Sequence, residues 1–152
     1  MPEIWQFFSN IAFALNIVYI NKGWNTVLYL CNVVSFIGAA FLVATNPGHF
    51  YATVHRFFPF LKGTPPAMLH FLNVVWHGLP LYLFRKRQTL EDIFSLPTIA
   101  GFALFMLTYS FFMSDTDLYT LYGKDRHDLF KLFAGALLLL SAVHYILYNF
   151  GK

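Results

Sequence analysis

The chain has 152 residues, of which 58% are hydrophobic, 20% aromatic and only 11% charged, with a formal net charge of +3. That is too little polar surface to coat a water-soluble globule of this size, and a weak positive charge scattered among aromatics argues against nucleic-acid binding. Cys31 is the single cysteine, so no internal disulfide and no cysteine-based zinc cluster can form.

A helix that crosses a bilayer needs roughly 17–25 mostly apolar residues. Such runs fall at Ile4–Ile20, Trp24–Thr45, Pro66–Phe84, Phe94–Met113 and Asp128–Phe150. The period-2 alternation of barrel strands is missing. The pattern therefore predicts one all-α domain over residues 1–152, a polytopic, multi-pass integral membrane helical bundle of about five transmembrane helices. The first run has neither a basic segment before it nor a small-residue cleavage site, so it reads as a retained helix and not as a signal peptide. Asn21-Lys22-Gly23 is so short that the first two helices form an antiparallel hairpin. The second connection, NPGHFYATVHRFFPFLKGTP, mixes aromatics with His55, Arg56 and Lys62 and suits the headgroup level. In the third, RKRQTLED, the compact Arg85-Lys86-Arg87 triplet is expected to touch lipid headgroups. Lys and Arg are evenly divided between the two ends, this triplet included, and its compactness tilts its own end towards the cytoplasmic side. The fourth connection, SDTDLYTLYGKDRHD, holds most of the acidic residues.

Polar groups inside the spans carry the functional information, because they are costly in hydrocarbon. At a rise of about 1.5 Å per residue, Cys31 and His77 lie roughly 5 Å and 3 Å from the midplane in the same half of the bilayer. Asn16 and His144 fall in that half as well, at about 6 Å and 8 Å. Asn73 and His77 are four apart on one helix face, so the Asn73 amide could orient the imidazole. Gly78 and Pro80 follow at once, and a bend there would open room for a ligand.

Three readings fit these residues. In an intramembrane lipid acyl hydrolase or acyltransferase, Cys31 is the nucleophile, His77 the general base and acid, and Asn73 or Asn32 a polar partner, with Asn16, Asn32 and His144 as polar groups of a lipid pocket. In a second reading His70, His77 and His144 hold haem or a metal, although His70 and His144 sit in opposite halves, and no cofactor is expected. In the third, the chain is a non-catalytic accessory or structural subunit of a larger membrane complex, its polar side chains serving as interhelical glue. The partners expected are membrane lipids, with other membrane subunits or a second copy of the chain.

The runs LYLCNVVSF at 28–36, ATNP at 44–47, WHGLPLYLF at 76–84 and TYSFFMSDTDLYTLYG at 108–123 occur in an order that resembles the YwaF-like integral membrane family, itself distantly similar to the androgen-induced-protein membrane hydrolases. The resemblance covers roughly residues 24–150. It implies a multi-helix membrane fold and acyl chemistry on lipids, with Cys31 and His77 at the positions matching the nucleophile and the histidine. The chain departs from that pattern in its short stretch between Pro47 and Pro66 and in carrying Asp115 and Asp117 where bacterial relatives tend to carry amides.

Overall fold

A computed structural model describes residues 7–19, 22–113 and 126–150, and all regular structure among them is helical. The helices are α1 (Phe8–Val18), α2 (Lys22–Thr45), α3 (Pro47–Phe57), α4 (Pro66–Phe84), α5 (Leu90–Ile93), α6 (Leu96–Met113) and α7 (Arg126–Phe150), with single 3-10 turns at Pro59–Leu61 and Arg85–Arg87. Four stretches are long and apolar enough to cross a membrane: Gly23–Thr45, Pro66–Arg87, Leu96–Met113 and Phe130–Phe150. They coincide with four of the five expected spans. The remaining run, Ile4–Ile20, contains the 11-residue apolar helix α1, and its residues 4–6 and 20 lie outside the described residues. Most of the fourth connection, including Asp115 and Asp117, lies outside them too.

The long helices form a row in the order α4, α2, α6, α7, each packed on the next, and α6 with α7 make the most extensive contact. Helix α1 lies against α2 and reaches both of its neighbours. Phe8 meets Phe105 and Tyr109 of α6 edge-on at 5.4 and 5.2 Å between ring centroids. On the other side Trp76 of α4 donates from Nε1 to Asn10 Oδ1 at 2.8 Å. The buried core joins four helices: Ala12 of α1, Val27 and Cys31 of α2, Phe102 and Met106 of α6, and Ala134 of α7. Three of these are small. Small residues let helix backbones come close, and in a bilayer close packing replaces the hydrophobic drive that water would supply. Gly101 shows how close: a Cβ built there would lie 2.7 Å from Val27 Cγ2.

The connections are more regular than loops because the sequence caps them. Asn46 accepts from the His49 amide at 3.3 Å and Pro47 occupies the first turn, so the second connection begins as helix α3. Phe50 is its buried anchor. Thr89 caps α5 by accepting from the Asp92 amide at 3.1 Å. Helix α6 starts at Leu96 and not at the expected Phe94, because the Ser95 hydroxyl accepts from the Thr98 amide at 3.4 Å and the Thr98 hydroxyl donates to the Asp92 carbonyl at 2.7 Å.

One side chain ties the first hairpin to the third connection. Asn25 Nδ2 donates to the Tyr19 carbonyl at 3.1 Å and more weakly to the Asn16 carbonyl at 3.4 Å, covering carbonyls at the end of α1. Its Oδ1 accepts from Gln88 Nε2 at 3.0 Å. Asn25 is buried, so its removal loses these bonds where water is excluded. Replacing Asn25 with Ala should destabilise the fold by about 1–3 kcal/mol, read as a lowered thermal midpoint in detergent micelles; an unchanged midpoint would show that the clasp contributes nothing.

Candidate functional site

The expected ligand space beside Pro80 is a narrow recess between α1, α2 and α4, lined by Ser9, Phe13, Asn32, Ser35, Trp76, His77 and Pro80. It contains about 180 Å³ of non-atom space, its open mouth included, yet leaves no room for a water-sized sphere. Pro80 itself is buried, and α4 runs through it as continuous helix. An acyl chain does not fit this recess as it stands.

Its polar side chains are mostly turned back on their own helices. Asn32 Nδ2 donates to the Leu28 carbonyl at 2.9 Å, Ser35 Oγ to the Cys31 carbonyl at 2.8 Å, and His77 Nδ1 to the Asn73 carbonyl at 3.0 Å. All three bonds run to the residue four earlier. Hydrocarbon offers no water to a stranded donor, and a helix carbonyl can accept a second bond, so this is the cheapest local answer for a polar group in a span. The Asn73 expectation is corrected in its chemistry: the imidazole is oriented by the Asn73 backbone carbonyl and not by its amide.

Cys31 does not share the recess. Its side chain is fully buried, packed in the core with Ala12, Val27, Phe102, Met106 and Ala134, and no hydrogen bond among the described contacts joins it to His77. Neighbouring positions on a helix point about 100° apart, so with Asn32 turned towards α4, Cys31 is turned towards the α6 side of α2. The two members of the expected catalytic pair thus have different surroundings: Cys31 lies in the core, and His77 lines the recess with Asn32 and Ser35.

The other candidates are dispersed as well. Asn32 lines the recess, but Asn16 and His144 do not. Asn16 is buried on α1, with neither its Oδ1 nor its Nδ2 hydrogen-bonded. His144 is exposed on α7, stacked on Tyr148 at 6.5 Å, because α7 packs on α6 at the far end of the row from α4. His70 is paired with another element: its Nε2 lies 2.8 Å from the Tyr51 hydroxyl of α3, and the two rings are stacked. The three histidines of the metal reading thus occupy three separate settings, and no cluster of metal-ligating side chains gathers among the described residues. Arg85, Lys86 and Arg87 are exposed at the end of the α4 span.

Sequence reasoning missed Ser9, Ser35 and the Trp76–Asn10 bond. Ser35 could have been found, since it stands three residues after Asn32 on the same face, whereas the α1–α4 contact carries no local signal. No protein-family model matches this chain, and neither the curated proteins nor the solved structures yield a match.

If Cys31 is a packing residue, size decides what it tolerates. Cys31→Ala should cost no more than about 1 kcal/mol, while Cys31→Leu should cost about 1–3 kcal/mol by forcing α2 away from Ala12 and Ala134. Melting of the two variants in the same detergent checks the order, and equal midpoints would contradict it.

Proposed function

We propose that this protein is a non-catalytic accessory or structural subunit of a larger membrane complex, a multi-pass bundle whose outer helix faces meet lipid and neighbouring subunits. The observation that carries the reading is the setting of Cys31. A thiol attacks an ester only as thiolate, with a base to take its proton and a path for the carbonyl to reach sulfur. Cys31 is fully buried in the apolar core, and the candidate base His77 lines a different space.

The outer helices fit the same reading. Phe71, Val74, Val75 and Leu83 on α4, and Leu139, Leu140, Ile146 and Leu147 on α7, are exposed large apolar side chains. In a bilayer such faces are stable against acyl chains and equally able to receive another helix. The resemblance to the YwaF-like family fits as a shared helical framework in which Cys31 and His77 have packing and self-bonding roles.

Chemical labelling tests the proposal. In the folded, detergent-solubilised protein Cys31 should resist both a thiol reagent and a fluorophosphonate probe, and should react with the thiol reagent only after denaturation. Cross-linking of the tagged chain in native membranes should give a discrete product with a second polypeptide. Labelling of Cys31 in the folded protein by the acyl-directed probe, abolished by His77→Ala, would overturn the proposal in favour of an acyl-transfer enzyme.

A further inference from the structure

The connection from α4 to α6 is held too firmly for an idle loop. Gln88 is bonded to Asn25 of α2, and Asp92 accepts at its carbonyl from both Ser95 Oγ at 2.8 Å and Thr98 Oγ1 at 2.7 Å. Ile93 is buried beneath it. What this braced segment presents outward is of two kinds. First come three successive cations, Arg85, Lys86 and Arg87, all exposed and none with an ion-pair partner among the described residues. Arg85 is fixed in place, donating to the Tyr82 carbonyl with its guanidinium 3.8 Å from the centre of the Tyr82 ring. Then come Leu90 and Phe94, one helical turn apart, 75% and 68% exposed.

Unpaired cations and bare apolar side chains on one short segment are compatible where water meets acyl chains. This segment is at such a level, because the cations end the Pro66–Arg87 span. The aromatic residues agree: Tyr82 is exposed beside the cations, and Tyr19 and Trp24, half exposed, flank the hairpin that Asn25 ties to Gln88. Tyrosine and tryptophan favour that zone, and clustered Lys and Arg at a span end attract anionic headgroups. Glu91 and Asp92 follow the triplet, so the local charge remains positive by one.

We propose that residues 85–94 form a foot that selects anionic phospholipids, with Arg85, Lys86 and Arg87 engaging phosphodiester headgroups and Leu90 and Phe94 seated among the upper acyl carbons of the same leaflet. The cations supply the preference for charge and the apolar pair supplies depth. Separate variants can therefore separate the two contributions.

The test reconstitutes the full chain in mixed phosphatidylglycerol and phosphatidylcholine bilayers, extracts it, and weighs the retained lipids by native mass spectrometry. The wild-type chain should carry phosphatidylglycerol several-fold above its bulk proportion. The Lys86→Gln/Arg87→Gln variant, which leaves the Arg85–Tyr82 contact untouched, should fall close to the bulk ratio, and Lys86→Arg should not. Leu90→Ser/Phe94→Ser should lower the amount of lipid retained while keeping the ratio. Helical content by circular dichroism identifies any variant that has lost its fold, and the Lys86→Gln single variant then takes its place. Retention in the bulk ratio by the wild-type chain, or an undiminished preference after removal of the two cations, would overturn the proposal. So would displacement of lipid by inorganic phosphate beyond that caused by chloride at equal ionic strength, since it would mark a free-phosphate site.

Discussion

Helices α2 and α6 can approach as they do only because residue 101 has no Cβ. The side chain that would be struck, Val27, is β-branched and held to few rotamers in a helix, so it cannot swing aside cheaply. Around that contact the chain places Ala12, Cys31, Ala103 and Ala134, all buried and all small. Once α2 and α6 are seated, α7 lies on α6, α4 on α2, and α1 bridges them with aromatic contacts to α6 and an indole hydrogen bond from α4. Cys31 belongs to this seam. Its size explains its presence as fully as any reactivity could.

The same economy governs the polar groups. With no water to receive a stranded donor, Asn32, Ser35, Thr45, His77 and Asn149 each bond to the carbonyl four residues earlier in their own helices. Among the bonds that cross between elements, Asn25 with Gln88 and Tyr51 with His70 lie towards opposite ends of α4, and Trp76 with Asn10 lies between them. Among the described residues, Asn16 is a buried amide with neither side-chain atom hydrogen-bonded, and His55 Nε2, Gln88 Oε1 and Ser110 Oγ are likewise buried without a partner. Together these contacts describe a helical frame that is apolar along its outer flanks.

How far the sequence could be read follows from what hydropathy encodes. Length and apolarity fix a span, so Pro66–Phe84 matched its helix at both ends and the α2 span matched to within two residues. Helices α3 and α5 were legible only through caps, Asn46-Pro47 and Thr89 with Asp92, and a polar connection hides such signals when it is read by composition alone. The candidate site was less legible for a geometric reason. Rise per residue gives depth, and depth put Cys31 level with His77; rotation about the helix axis decides contact, and it sends adjacent residues 31 and 32 towards different neighbours. Which helix packs on which face of α2 is a tertiary fact, set by a glycine on α6 that no local pattern singles out. The Asn73–His77 spacing was informative, but four residues brings a backbone carbonyl within reach as readily as an amide, and the carbonyl is already in position.

The measurement closest to the central claim is a double-mutant cycle on the seam, with unfolding free energies taken in one detergent for the wild-type chain, Gly101→Ala, Val27→Ala and the pair. If the missing Cβ is what allows α2 and α6 to meet, Gly101→Ala alone should cost about 1–3 kcal/mol, and most of that cost should vanish when Val27 is also Ala, a coupling above about 0.5 kcal/mol. A Gly101→Ala variant as stable as the wild-type chain, or one penalised equally in both backgrounds, would contradict the account.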